Sequence, residues 1–323
     1  MKAFVATQAG GPDVLQLQDL TVPDVKPAWV LVEVKAFGLN RAELHTRLGL
    51  SGDAVTFPRV LGLECAGIIK HPSDTDLKEG QTVVALMGGM GRAFNGSYAQ
   101  YVLVPRSQIL PVETTLAWED LAALPLSYLT AWGMAIEAVG LRENQTALVR
   151  GATSSVGRAA LAILKDMNCT VLATTRSESK RETLEKAGAD VVMVSSEGVA
   201  KEVREHFPDG LDGAVDLVGG RDALEDSFRC LKKRAAVALG GSLARAWGDG
   251  FPMMPPHVHL TMHSSEIVNA SWTPLFQEIV NKVETRRYAS NLFEVFPFER
   301  LPAAHELMEK NGASGKLVVS LES

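Results

Sequence analysis

Apolar and polar residues change their period along the chain. From Lys2 to about residue 116 the apolar positions come in short runs between turn residues: Lys2–Thr7, Leu15–Leu20, Trp29–Phe37, Val60–Ile69, Thr82–Met87 and Gly96–Val104. Alternation with period two marks half-buried strands, and many short strands with Gly/Pro turns predict a barrel-like or sandwich-like β-rich domain. From Thr115 the period is helical: Thr115 caps a helix over Trp118–Leu124, and Ser127 or Thr130 lies near the start of another that runs to Val139. Strands and helices then alternate. Strands are predicted at Ala147–Val149, Thr170–Thr174, Val191–Val194, Gly213–Val218 and Arg234–Leu239, with helices at Val156–Met167, Ser179–Gly188, Val199–Phe207 and Arg221–Leu231. This order predicts an α/β, doubly wound parallel sheet whose strand ends at Val218 and Leu239–Gly241 face a ligand crevice. Residues 242–256 read as an irregular loop and Val258–Met262 as a sixth strand. Helices at Trp272–Val283 and Ala303–Lys310 and a strand at Lys316–Leu321 close the chain. That tail is too short for a domain of its own and is expected to fold back onto the first.

Within this pattern, TALVRGATSSVGRAALAILKDMNCTVLATTRSESKR from Thr146 to Arg181 gives strand, small-residue turn, helix and strand in about thirty residues, the first βαβ unit of a dinucleotide-binding fold. Small residues over Gly151–Gly157 let backbone N–H groups approach a pyrophosphate, and the next helix points its positive end at it. Gly157 allows close helix–strand packing. With Gly157 as the third glycine of GxGxxG, Ala152 and Ser154 take the first two places. The acid that accepts from a ribose 2′-hydroxyl is missing: the second strand ends Thr174-Thr175-Arg176-Ser177, followed by Lys180-Arg181. Cations and a hydroxyl suit a 2′-phosphate, so NADP(H) is expected over NAD.

Length, composition and charge narrow the class. The 323 residues suffice for two domains, and 46% hydrophobic with 22% charged residues is the make-up of a globular chain. A net charge of −6 without a long basic run gives no expectation of nucleic acid. No leader-like segment and no run of about twenty uncharged apolar residues is present, so a cytoplasmic protein without a membrane span is expected. Cys65, Cys169 and Cys230 are too scattered for a disulfide framework or a four-cysteine zinc site. His257, His259 and His263 have no carboxylate or cysteine placed with them and read as core or surface histidines.

The segment Gly38–Gly49, GLNRAELHTRLG, reads as a short helix dense in polar residues: Asn40, Arg41, Glu43, His45 and Arg47. The preferred reading is a solvated face with Asn40 as N-cap and Glu43 at N3, in the places of a capping box.

GLNRAELHTRLG, PRVLGLECAGII, LSYLTAWGMA, RGATSSVG, TTRSESKRE and the terminal GASGKLVVSL, in this order and over nearly the whole chain, resemble the medium-chain dehydrogenase/reductase superfamily. Within it the chain is similar to the zinc-free, zeta-crystallin-like NADPH:quinone oxidoreductases. The resemblance implies a β-rich GroES-like catalytic domain from 1–116 and 264–323, a Rossmann NADPH-binding domain from 117–263, and a homodimer through an edge strand at Val258–Met262.

In the zinc alcohol dehydrogenases of the superfamily, the three catalytic ligands match Asn40, Leu63 and a place near Leu126. Asn and Leu supply no zinc ligand, which implies a metal-free enzyme. The resemblance puts Asn40 beside the reacting ring as the catalytic candidate, with Arg41, His45 and Arg47 as open candidates. It puts Thr130 on the helix bordering the nicotinamide, Ser154, Ser155 and Val156 at the pyrophosphate, and Arg176, Ser177 and Lys180 at the 2′-phosphate; Val218 and Gly240, at their strand ends, are expected at the crevice. Lys316 either returns to the cofactor cleft, as a family lysine does, or is a strand-edge charge.

The implied activity is hydride transfer from NADPH to a quinone or other electron-poor enone or carbonyl acceptor. The alternatives are a 2-enoyl-thioester reductase and a non-catalytic NADPH-binding protein of the same fold. Two departures bear on the acceptor: His45 and Ser51 stand where bacterial quinone reductases often carry tyrosines, and Thr-Ser-Ser replaces a glycine-rich phosphate turn.

Overall fold

A computed structural model describes residues 1–194, 198–240, 250–263 and 272–321. The chain divides into two compact units, Met1–Leu126 with Ser265–Ser323, and Ser127–Ser264.

In the first unit the strand Trp29–Gly38 is central. It pairs antiparallel with Glu64–His71, Tyr101–Pro105 and Lys316–Ser320, so the chain's tail is part of the β-rich unit. Leu292–Pro297 lies parallel to Lys316–Ser320, while Thr82–Leu86 and Ile109–Pro111 extend the sheet beyond Glu64–His71. A smaller sheet joins Leu15–Asp19, Lys2–Ala6 and Arg59–Val60. Phe4, Val32, Phe37, Val83, Tyr98 and Leu301 belong to one buried core.

Three local expectations change here. The run Val60–Ile69 is two strands, Arg59–Val60 and Glu64–His71, broken at Gly62, whose φ of +106° favours glycine. The run Gly96–Val104 is paired over Tyr101–Pro105. Thr115 does not cap the helix Trp118–Ala122, whose N-cap is Ala117; its N–H and hydroxyl both donate to Glu284 Oε1, at 2.7 and 3.2 Å. That helix belongs to the first unit, which runs to Leu126, ten residues beyond the expected limit at 116. Ser320 Oγ donates to Glu119 Oε1 at 2.6 Å, and a Cβ on Gly38 would come within 2.8 Å of the Ala122 carbonyl oxygen.

Among the described residues the second unit holds six parallel strands in the spatial order Val191–Val194, Thr170–Thr175, Thr146–Arg150, Leu211–Asp216, Leu231–Leu239, His259–Met262. Numbered by sequence this is 3-2-1-4-5-6, the doubly wound arrangement, and its direction reverses between Thr146–Arg150 and Leu211–Asp216. The helices Ser155–Asp166, Arg181–Lys186, Val199–His206 and Arg221–Arg229 connect the strands. Leu148, Leu172, Val203, Leu224, Phe228 and Val237 form their shared core. The expected edge strand is present at His259–Met262, with Met262 exposed. The predicted helix to Val139 is an α-helix over Pro125–Trp132 that widens into a π-helical turn over Gly133–Ala138. Gly241 and most of the expected loop 242–256, up to 249, lie outside the described residues.

Candidate functional site

The phosphate turn is built as small residues dictate. Gly151 has φ +79°, and a Cβ on Gly157 would stand 2.6 Å from the Gly151 carbonyl oxygen and 2.7 Å from Ala152 Cα. Ser154 caps the helix Ser155–Asp166: its Oγ accepts from the Gly157 N–H at 3.1 Å and donates to the Gly151 carbonyl at 2.9 Å. Ser155 and Val156 occupy the first two helical positions, where helix geometry leaves N–H groups for a ligand. The turn is tied to the next strand by Gly151 N–H to Thr174 Oγ1 at 3.1 Å and Ala152 N–H to the Thr174 carbonyl at 3.2 Å.

At the end of that strand, Thr175 Oγ1 accepts from the Ser177 N–H at 3.2 Å, and the Ser177 and Ser179 hydroxyls share a 2.8 Å bond. The turn does contain an acid, Glu178, but it pairs with Arg181, which also donates to the Val192 carbonyl at 2.7 Å. Arg176 is exposed and Lys180 half-buried, and neither makes an ion pair with the described residues. The second unit therefore brings Ser154–Val156 and Arg176–Lys180 to neighbouring strand ends.

Val218 and Gly240 are held by one residue. Asp216 Oδ1 accepts from the N–H groups of Val218 and Gly219 at 2.9 and 3.0 Å, and its carbonyl accepts from Gly240 N–H at 3.0 Å. Thr130 is half-buried on the helix Pro125–Trp132.

The first unit brings Asn40 and Lys316 together with two acids: Glu43, expected at N3 of the capping box, and Glu64, which the sequence pattern did not place there. Strand Trp29–Gly38 delivers Asn40 to the N-cap of Arg41–Arg47, and pairing of Val318 with Gly38 carries Lys316 to the same point. Lys316 Nζ donates to Asn40 Oδ1 at 2.7 Å and to Glu64 Oε1 at 2.5 Å, with both ionic side chains fully buried. Asn40 Nδ2 donates to Glu64 Oε1 at 2.8 Å. Glu64 Oε2 accepts from the Leu126 N–H at 2.8 Å, at the start of Pro125–Trp132. Glu43 reaches back to the Asn40 N–H as a capping-box acid does, and its Oε1 accepts from Leu63 N–H at 2.9 Å. Burial pushes the Glu43 carboxyl up to about 7, against the Leu63 N–H and the Lys316 ammonium, which favour its charge. Lys316 is thus a buried pairing residue rather than an edge charge. The signal for Glu64 was an acid inside the apolar segment VLGLECAGII.

The helix after Asn40 is not the solvated face expected: Glu43, Thr46 and Arg47 are buried. Arg47 donates to the Gly10 carbonyl, to Glu309 Oε2 at 2.9 Å and to His305 Nδ1 at 3.4 Å. An arginine only donates, so Nδ1 is the accepting nitrogen, and Nε2 carries the proton it gives to Tyr98 Oη at 2.9 Å. Burial, reinforced by the Arg47 charge, holds His305 down at about 3. Arg41 is tied to the Met308 carbonyl and to Asn311 Oδ1. His45 is half-buried. Thr46 Oγ1 meets Ser51 Oγ at 2.9 Å and accepts from Arg92 Nε at 3.3 Å.

The two buried groups act oppositely on stability. His305 titrates near 6.5 when unfolded and near 3 when folded, so its contribution is present above pH 6.5 and is lost as pH falls through that window. Glu43 titrates near 4.5 unfolded and near 7 folded, so its contribution is present below pH 4.5 and is lost as pH rises to about 7. The slopes cancel between pH 4.5 and 6.5, and His305 alone acts below. In urea denaturation, the stability difference between wild type and His305→Gln should shrink by about 2 kcal/mol from pH 4.5 to 3. A difference independent of pH would show that His305 titrates alike in both states.

Among the described residues no group of three or more His, Cys, Asp and Glu is arranged to hold a metal ion. The ring of His263 packs on Gly133, with Nδ1 3.7 Å from Glu137 Oε2, and His259 lies on the edge strand. Around Asn40, the side chains of Leu63 and Leu126 offer no donor, and the Lys316 ammonium already serves Asn40 Oδ1 and Glu64. This set does not fit zinc. No helix among the described residues is long and apolar enough to cross a membrane.

Two family profiles match the chain: "Alcohol dehydrogenase GroES-like domain" over residues 26–114 and "Zinc-binding dehydrogenase" over 155–283. Among curated relatives, the synaptic vesicle membrane protein VAT-1 homolog of Danio rerio is 34% identical over 77% of this chain, a match spanning 54% of that relative. The quinone oxidoreductase of Homo sapiens is 25% identical over 99% of this chain and 98% of its own. Among solved structures, an NAD-dependent alcohol dehydrogenase is 28% identical with a TM-score of 0.87, covering 99% of this chain and 100% of its own. A mycobacterial protein solved with NADPH is 25% identical with a TM-score of 0.85, covering the same shares. The two profiles fall in order on the β-rich unit and the doubly wound sheet, and the chain belongs to the medium-chain dehydrogenase/reductase superfamily, whose members bind nicotinamide cofactors.

Proposed function

We propose that the protein is a zinc-independent oxidoreductase that transfers hydride from NADPH to a quinone or another electron-poor enone or carbonyl acceptor. The observation that carries this reading is the pairing of the Ser154-capped phosphate turn with a neighbouring strand end where Glu178 is engaged by Arg181 and Arg176 and Lys180 make no described ion pair. The Ser155 and Val156 N–H groups receive the pyrophosphate, and Arg176, Lys180 and the Ser177 hydroxyl receive the 2′-phosphate. Bound NADPH supplies the hydride. Thr130, Val218 and Gly240 line the nicotinamide end in this reading. Asn40 is the candidate nearest the chemistry, and its amide is fixed from both sides: Lys316 holds the oxygen and Glu64 the nitrogen. Such rigidity suits a group that orients a reacting ring.

The acceptor class is supported by the quinone oxidoreductases among the relatives. Zinc independence is supported by the donor set at Asn40, Leu63 and Leu126. The test is loss of NADPH absorbance with phenanthrenequinone, a simple enone and crotonyl-CoA, before and after dialysis against EDTA. Turnover of the quinone or enone, unchanged by the chelator, is expected. Turnover of crotonyl-CoA alone would favour a 2-enoyl-thioester reductase, and tight NADPH binding with no turnover would sink the enzyme reading.

A further inference from the structure

The strand order of the second unit's parallel sheet switches between Thr146–Arg150 and Leu211–Asp216, and a buried ionic network joins the ends of those two strands. Arg150 is the last residue of its strand, is 2% exposed and directly precedes Gly151. Its Nε–H donates to Ser227 Oγ at 2.7 Å and its Nη2 to Asp226 Oδ2 at 2.6 Å, with Asp216 Oδ2 at 3.7 Å. The Ser227 hydroxyl in turn donates to Asp216 Oδ2 at 2.8 Å.

Each carboxylate has a second task. Asp226 accepts from the N–H groups of Val199 and Ala200, both at 3.0 Å, and so caps a helix whose own N-cap, Gly198, has no side chain. Asp216 holds Val218 and Gly219 through Oδ1, and the Arg150 carbonyl accepts from Leu217 N–H at 3.1 Å. One cation among two carboxylates brings no net positive charge beneath an anion site. The network therefore acts by fixing backbone, not by attracting phosphate.

We propose that Arg150, through Ser227 and Asp216, is a positioning residue for the cofactor site, locking the phosphate turn and the Val218–Gly219 loop into one arrangement. This rests on the nucleotide reading above. Buried ionic groups are costly, and a network of this kind is justified by the geometry it enforces. A displaced turn loses the pyrophosphate contacts, whereas the 2′-phosphate turn, at the end of a different strand, is not part of the network.

The experiment compares wild type, Arg150→Met and Ser227→Ala for binding of NADPH and of 2′-AMP, which has the 2′-phosphate but no pyrophosphate, by titration calorimetry. Arg150→Met is expected to weaken NADPH by roughly tenfold to a hundredfold, the effect of losing about one hydrogen bond to a charged phosphate. Ser227→Ala should weaken it severalfold, and 2′-AMP should stay within about twofold of wild type in both. Should Arg150→Met fail to fold, Ser227→Ala decides, because it leaves the Arg150–Asp226 pair intact. Unchanged NADPH affinity, or equal losses for both ligands, would overturn the proposal. A wild-type protein that bound neither ligand would instead overturn the nucleotide reading.

Discussion

Lys316→Met is expected to destabilise the β-rich unit by about 3–5 kcal/mol at neutral pH, the cost of leaving a buried charge without its partner. The ammonium and the Glu64 carboxylate are both fully buried, 2.5 Å apart, with Glu43 in the same cluster. Methionine occupies nearly the space of lysine, so little of the loss comes from a cavity. Glu64→Gln in the Lys316→Met background should recover a large part of it. The amide keeps an acceptor for the Leu126 N–H and removes the uncompensated charge. Urea denaturation of the single and double variants measures both effects. A loss below about 1 kcal/mol, or no recovery in the double variant, would mean that Glu64 finds its compensation elsewhere.

Arg176→Ala combined with Lys180→Ala is expected to lower the ratio of NADPH to NADH affinity by roughly thirtyfold, about 2 kcal/mol. Charge-assisted hydrogen bonds to a phosphate are among the stronger polar contacts, and neither cation is committed to an ion pair among the described residues. NADH lacks the 2′-phosphate, so its affinity should barely move. Raising ionic strength should narrow the gap between wild type and the variant, because both cations stand near solvent. Binding titrations with the two cofactors at two salt concentrations give the answer, and a ratio that stays put would assign the turn to another role.

What the chain disclosed in its sequence was local. The βαβ unit was legible because turn, helix and strand follow one another within thirty-six residues, and Ser154, Gly157 and the basic turn stand in the expected relation. The capping relation of Asn40 and Glu43 was legible for the same reason, three residues apart. Glu43's second bond, to Leu63, was not. Nor was the meeting of Lys316 with Asn40 across 276 residues, which is fixed by pairing between Lys316–Ser320 and Trp29–Gly38. Arg47 looked like part of a solvated face because its partners, Gly10, His305 and Glu309, lie far away in sequence. The strand Leu292–Pro297 escaped notice for another reason. Leu-Phe-Glu-Val-Phe-Pro has exposed apolar residues at Phe293 and Val295, which blur the alternation of a sheet edge.

The missing Cβ of Gly157 carries a consequence for how this chain can vary. The atoms that any side chain would strike, Gly151 O and Ala152 Cα, are main chain. A clash with a neighbouring side chain can be relieved by trimming that neighbour elsewhere in the gene. A clash with the backbone has no such second-site remedy, because every residue type carries the same backbone atoms. Position 157 is therefore closed to suppression by any substitution of its neighbours.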